Sequence, residues 1–207
     1  MELYVYTDGG IEPGAVPGQG RCGGAGVVLA ASSGGTTTIL TEASFHFDQT
    51  VTNQVMEIEA ARLGLDLVKQ LMATQPKYAK AKTFLCSDSA YVINCLNDGW
   101  YATWMLKSGW RNAAKKQVEN ADLWRGLLSS WAGAHDRIAT QLGPSPWRKM
   151  DGADAAVIRE SAFGVRATPT KVKGHSTDAL NNLADALATA GKRGTTDVRW
   201  HTGATDA

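Results

Sequence analysis

Asp8, Glu57, Asp88 and Asp185 are the residues best placed by their surroundings to do chemistry. Asp8 ends an alternating run, Leu3-Tyr4-Val5-Tyr6-Thr7, and precedes Gly9-Gly10; Asp88 ends the short apolar run 83–87. Both are therefore expected at the C-terminal end of a strand, where open α/β sheets place their ligands. Glu57 falls in the first turns of a predicted helix, and Asp185 lies within a helical Asn181-Asn182-Leu183-Ala184-Asp185. Four carboxylates brought together repel unless they are protonated or neutralised by hard cations. A pair of Mg²⁺ ions roughly 3.5–4 Å apart is the usual arrangement when the substrate is a phosphodiester. Singly, each acid also has a plain structural reading: Asp8 as a turn residue, Asp88 as a helix cap, Glu57 as a solvated helix residue, Asp185 as an ion-pair partner of Lys192 or another base. Composition and periodicity alone leave open whether the four converge.

The elements that would carry them follow from hydrophobic period. Residues 3–7 read as a strand, 9–24 as a glycine-rich loop, and 25–30 and 36–41 as two further strands, the last extending toward Phe45. Ile58, Ala61, Leu65, Val68 and Met72 recur at steps of three and four, giving a helix that Pro76 closes. A short strand over 83–87 and a helix over 91–96 come next. Residues 100–131 hold five of the seven tryptophans, interleaved with Lys107, Arg111, Lys115, Lys116 and Arg125. Residues 133–167 are the least periodic and read as an inserted, largely irregular surface excursion, with a weak helical stripe over 153–163. Residues 168–173 read as a last strand, confined by Pro169 to a sheet edge. A final helix over 179–190 is capped by Ser176, Thr177 or Asp178 and stopped by Gly191; 192–207 reads as a flexible tail. The order predicts a single α/β domain over 1–207 with a mixed sheet and helices on both faces.

Residues 1–99 carry 6 Lys/Arg against 10 Asp/Glu, and 100–207 carry 15 against 10. The near-zero net charge thus conceals an acidic half and a basic half, as expected of an anionic site beside an anion-facing surface, although scattered solvating charges fit equally well. Cys22, Cys86 and Cys95 are odd in number and lack metal-ligand spacing, so they read as free thiols in a reducing compartment. With no apolar run long enough for a membrane span and no signal-peptide pattern at the N-terminus, the expected setting is intracellular, cytoplasmic or nuclear.

Taken as ordered motifs, Thr7-Asp8-Gly9-Gly10, Thr52-Asn53-Gln54-Val55-Met56-Glu57, Ser87-Asp88-Ser89-Ala90-Tyr91-Val92, Lys173-Gly174-His175 and the later Asp185 resemble those of type 1 ribonuclease H. Trp100, Trp104, Trp110 and Ala121-Asp122-Leu123-Trp124 resemble the family's basic handle. The resemblance spans about 1–131 and 168–191. It implies a ribonuclease H-like fold with a five-stranded mixed sheet, three antiparallel strands then two parallel, and a monomer that cuts the RNA strand of RNA–DNA hybrids. Asp8, Glu57, Asp88 and Asp185 would hold two Mg²⁺, with Mn²⁺ able to substitute, and His175 would shuttle a proton or aid product release.

By the same resemblance, Asn53, Gln54 and the backbone at Gly9 and Gly10 would meet RNA 2′-hydroxyls. Trp104 with Trp100 would form a wall for deoxyriboses, and Thr52 and Asn120 would donate to a DNA phosphate. Lys107, Arg111, Lys115 and Lys116 would attract backbone phosphates. Trp110, Trp124 and Trp131 read rather as core. Departures from the pattern are Ala30 in place of a frequent arginine, Ala90 in place of a polar residue, and long segments after Asp8 and after Trp124. Rival readings are the ribonuclease H domain of a reverse-transcribing element, a related nuclease acting on DNA, and a non-catalytic hybrid-binding module.

Overall fold

The computed structural model describes residues 1–12, 22–150, 152–174 and 177–201. Its centre is a six-stranded mixed sheet of order β5-β4-β1-β2-β3-β6. Strands β1 (Glu2–Ile11), β2 (Gly23–Ser33) and β3 (Thr36–Phe47) form an antiparallel meander; β4 (Lys82–Ser87) joins β1 in parallel and β5 (Ala167–Lys171) joins β4 in parallel. Pro169 lies on the edge strand, as its missing N–H requires.

The expected five-stranded sheet is corrected by β6 (Asp197–Trp200), which pairs antiparallel with β3 inside the segment read as a tail. Trp200 packs against the core, and the His201 amide donates to the Leu40 carbonyl at 2.9 Å. A second correction concerns β1. Its pairing with β2 continues through Asp8↔Gly26, Gly9↔Ala25 and Gly10↔Gly24, so Asp8 lies inside a strand and Gly9-Gly10 are not loop. The glycines are required by close packing: a Cβ on Gly9 would overlap the Met56 carbonyl, and one on Gly24 or Gly26 would overlap the backbone of the last helix. Parallel pairing with β4 does stop at Thr7↔Ser87, which opens the cleft beside Asp8.

Helix α1 (Asn53–Thr74) covers the face of the sheet that displays Val5, Thr7 and Val27, with Ile58, Ala61, Leu65 and Val68 wholly buried. Thr52 caps it by accepting from the Val55 amide at 3.3 Å. Helices α2 (Ala90–Asp98), α3 (Trp100–Thr103), α4 (Ala121–Ser130), α5 (Ala132–Leu142) and α6 (Gly152–Ser161) continue that layer. Between α3 and α4, one π-helical turn (Trp104–Ser108) leads into a loop in which Trp110, Lys115 and Asn120 adopt left-handed backbone conformations. Among the described residues, helix α7 (Ala179–Lys192) alone covers the opposite face, capped by Asp178, which accepts from the Leu180 and Asn181 amides at 3.1 and 3.3 Å. Gly191 does not stop it; the helix runs on to Lys192.

The segment 133–167 is also corrected: it is not an irregular surface excursion. Helices α5 and α6 pack on α4, and Ala134, Ile138 and Ile158 are fully buried in the same core as Leu3, Val5 and Leu85. The ends of the segment do meet, as a chain returning to a sheet edge demands. The Val165 amide donates to the Ser130 carbonyl at 2.8 Å, and the Ala132 amide to the Val165 carbonyl at 3.0 Å. No helix among the described residues is long and apolar enough to cross a membrane.

Candidate carboxylate metal centre and nucleic-acid groove

Three elements deliver three carboxylates to one point. Asp8 projects from β1 where β4 diverges, Asp88 follows the end of β4, and Glu57 reaches in from α1 as the fifth residue after its Thr52 cap. Oxygens of Asp8, Glu57 and Asp88 lie within 4.8 Å of one another. Asp185, on α7, lies outside that tight group but lines the same cavity of about 290 Å³, together with Gly9, Gly10, Asn53, Asn181, Asn182 and Lys192. Acids carried on both faces of the sheet thus line one cavity. His175 lies outside the described residues; Gly174, just before it, abuts the Asp88 carboxylate.

Burial is the first cause of the site's electrostatics. It pushes Asp8 up to about 7, with the Asp88 and Asp185 carboxylates adding to the rise and Lys192 and the Gly9 amide opposing it. It pushes Glu57 up to about 8, reinforced by Asp8 and Asp88 and opposed by Lys171 and the Gly9 amide. Glu57 Oε2 and Asn181 Oδ1 are buried with no hydrogen-bond donor among the described residues. Clustered hard oxygen donors, an unpartnered buried carboxylate oxygen and acids that resist ionising by themselves are what a hard divalent cation would satisfy. The residues fit such a metal.

A pH effect follows, with a definite sign. Because Asp8 and Glu57 hold protons more tightly when folded, the metal-free native state binds more protons than the unfolded chain between about pH 4 and 8, so its stability falls as pH rises through that window. Glu57→Gln, which cannot ionise, is expected to be more stable than wild type at about pH 9 in EDTA and close to it at about pH 5.5, read by urea denaturation. Mg²⁺ affinity of the wild type should rise across the same window as protons are displaced. A stability difference independent of pH would show that Glu57 does not titrate in this range.

Beside the cavity, Asn53 and Gln54 lead to a groove lined by Gln54, Tyr91, Trp100, Trp104, Asn112 and Lys116. A further hollow of about 470 Å³ shares Trp100, Trp104 and Asn112 and adds Arg111. Trp100 is 36% exposed, whereas Trp104 is only 8% exposed and offers one edge, its bulk packing on Trp110 and Trp124 at 5.7 and 5.9 Å between ring centroids. Trp110, Trp124 and Trp131 are core, as expected. Lys107, Arg111, Lys115 and Lys116 are exposed on the loop side, with Arg111 Nη1 donating to the Lys115 carbonyl at 3.0 Å. Thr52 is a helix cap, and Asn120 precedes α4 in a left-handed conformation with no capping bond from its side chain. Sequence reasoning assigned no role at the site to Asn181 or to Lys171, which acts on Glu57, and offered Lys192 only as an ion-pair partner of Asp185, a pair that does not form among the described residues. Asn181 stands one helical turn before Asp185, a spacing that places both on one face.

A mixed sheet covered on both faces, with acids from β1, β4, α1 and α7 converging at its centre, defines an α/β protein of ribonuclease H-like fold with a candidate divalent-metal site. The RNase H family model matches residues 1–139. The ribonuclease H of Chlorobaculum parvum is 33% identical over 186 residues, covering 90% of this chain and 92% of that protein; that of Moorella thermoacetica is 33% identical over 189, covering 91% and 90%. The chain belongs to the ribonuclease H family, type 1. In fold it is similar to LC9-RNase H1, described as a type 1 RNase H with the type 2 active-site motif (TM-score 0.62, 20% identity, covering 97% of this chain and 77% of that one). It is also similar in fold to the PFV RNase H domain (TM-score 0.59, 21% identity, covering 93% and 94%).

Proposed function

We propose that this protein is an endonuclease that hydrolyses the RNA strand of RNA–DNA hybrids, leaving 5′-phosphate and 3′-hydroxyl ends. The observation that carries the reading is the approach of Asp8, Glu57 and Asp88 to within 4.8 Å in a cavity lined by Asn53, whose neighbour Gln54 lines a groove of tryptophan and lysine. Asp8, Glu57, Asp88 and Asp185 would hold two Mg²⁺ ions, or Mn²⁺ in their place, which supply Lewis-acid activation of water and neutralise charge at phosphorus when bound. The chain's own groups bind and orient the duplex. Asn53 and Gln54, at the lip of the cavity, reach 2′-hydroxyls in the shallow minor groove, with the Gly9-Gly10 backbone alongside. Trp100 and the free edge of Trp104 receive deoxyribose, Thr52 and Asn120 flank a DNA phosphate, and Lys107, Arg111, Lys115 and Lys116 attract the backbone. His175 would move a proton or ease product out. Cleavage of labelled hybrid, but not of double-stranded RNA or DNA, with dependence on Mg²⁺ or Mn²⁺, is the test; a metal-dependent cut of double-stranded DNA instead would overturn the reading.

Replacing Lys115 and Lys116 together by alanine is expected to raise KM more than it lowers kcat, since both sit away from the carboxylates and would bind ground and transition states alike. The log–log salt dependence of hybrid binding should flatten by about 1.8 units, the loss of two phosphate contacts. An unchanged slope would place the pair off the nucleic acid.

A further inference from the structure

The carboxylate cavity contains a cation that the family's motifs do not explain. Lys192 ends α7 and lines the cavity with Asp8 and Asp185. An ammonium among carboxylates ordinarily closes an ion pair, yet Lys192 makes none within 4.0 Å among the described residues. Its chain lies instead along Gly10: a Cβ there would stand 2.7 Å from Nζ, 3.0 Å from Cε and 3.7 Å from Cδ. Gly10 is thus the residue that gives this lysine its berth, a packing reason for the second glycine of the Asp8-Gly9-Gly10 run. The negative end of the α7 dipole favours a cation at this position, and Asp8 and Asp185 line the cavity beside it.

We propose that Lys192 is a substrate-contacting residue, its ammonium donating to a non-bridging phosphate oxygen of the RNA strand at the Asp8–Asp185 side of the cavity. The inference rests on the hybrid-cleaving function proposed above for the identity of the ligand. The three donors of an ammonium on a flexible stem suit a phosphate oxygen, and a half-buried ammonium binds it more strongly than one of the exposed lysines of the handle. A phosphate drawn to Lys192 is also drawn toward the carboxylates, which by themselves repel it. The rival role, a fixed counter-ion that merely relieves repulsion among the acids, makes different predictions for metal and for nucleic acid.

Three readouts on Lys192→Ala and Lys192→Arg separate the two roles. The first is kcat/KM on hybrid with Mg²⁺. The second is the salt dependence of hybrid binding in EDTA, where nothing is cut. The third is calorimetric affinity of the free protein for Mg²⁺ or Mn²⁺, with circular dichroism to confirm folding. Lys192→Ala should lower kcat/KM about 10- to 100-fold, the value of one charge-assisted hydrogen bond, and Lys192→Arg should retain most of the wild-type value. The binding slope should flatten by about 0.9 unit, and metal affinity should stay the same or tighten. A Lys192→Ala protein with an unchanged slope, or one whose lost activity is matched by weakened metal binding, would overturn the proposal. A wild-type chain that binds hybrid without cutting it would sink the ribonuclease reading alone, because the EDTA slope still decides whether Lys192 meets phosphate.

Discussion

Asp8→Asn is expected to lower hybrid cleavage by more than about 10³-fold, while hybrid affinity in EDTA changes by no more than a few-fold. Asp8 is the acid that faces both neighbours: Asp88 and Asp185 each act on it, and it acts in turn on Glu57. An asparagine keeps the shape and the Gly9 contact but removes the charge that a cation requires, so metal affinity should fall with activity. Binding should survive, because under the proposed function phosphates and 2′-hydroxyls would supply it through residues on other elements. Nor should the fold suffer. Asparagine resembles the protonated acid, the form that burial already favours near neutral pH, so the metal-free variant should match or exceed wild type in urea denaturation. Near-wild-type turnover by the purified variant would remove Asp8 from the metal centre. Loss of hybrid binding in EDTA would instead make Asp8 part of the binding surface.

Asp8, Glu57 and Asp88, which the structure clusters, were legible in the sequence because each sits inside a short motif whose neighbours are also informative. Their supporting residues were not. A lysine at the end of an amphipathic helix is what the helix dipole alone would favour, so nothing local marks Lys192 as a cavity residue. Gly9, Gly10, Gly23 and Gly24 read as loop because glycine disfavours strands, yet the β1–β2 ladder runs through them. What decides is the close approach of α1 and α7 to the sheet, a contact between residues more than thirty positions apart in sequence. Strand β6 escaped for a similar reason: Asp197-Val198-Arg199 is exposed, and only pairing with β3 makes it a strand. The stripe over 153–163 did mark α6, whereas α5 was hidden by its alanine and glycine content and by Gly143, Pro144 and Pro146 immediately after it.

Excising residues 133–164, so that Ala132 joins Val165, is expected to abolish cooperative folding, although the geometry of the join is favourable. Ala132 and Val165 are already hydrogen-bonded, so the excision closes no new gap. Loop-closure entropy therefore argues for tolerance, and packing must decide against it. Helices α5 and α6 bury Ala134, Ile138 and Ile158 completely, and their removal uncovers Trp124, Leu127, Leu128 and Trp131 on and beside α4. Truncating one such isoleucine to alanine costs about 2–5 kcal/mol, against a total stability of about 5–15 kcal/mol for a typical domain. Ile158→Ala alone should therefore lower urea stability by about 2–5 kcal/mol. The loss also reaches the groove. Asp154, on α6, accepts from Trp110 Nε1 at 3.0 and 2.9 Å and pairs with Arg125 at 2.8 Å, while Arg125 lies 4.4 Å over the Trp110 ring. Trp110 supports Trp104, so α6 braces the aromatic wall from behind. Asp154→Ala should accordingly weaken hybrid binding more than it alters metal affinity, because it loosens the handle and leaves the carboxylates alone. A soluble excision variant with a sharp unfolding transition and a Tm within a few degrees of wild type would return the segment to the status of a surface excursion.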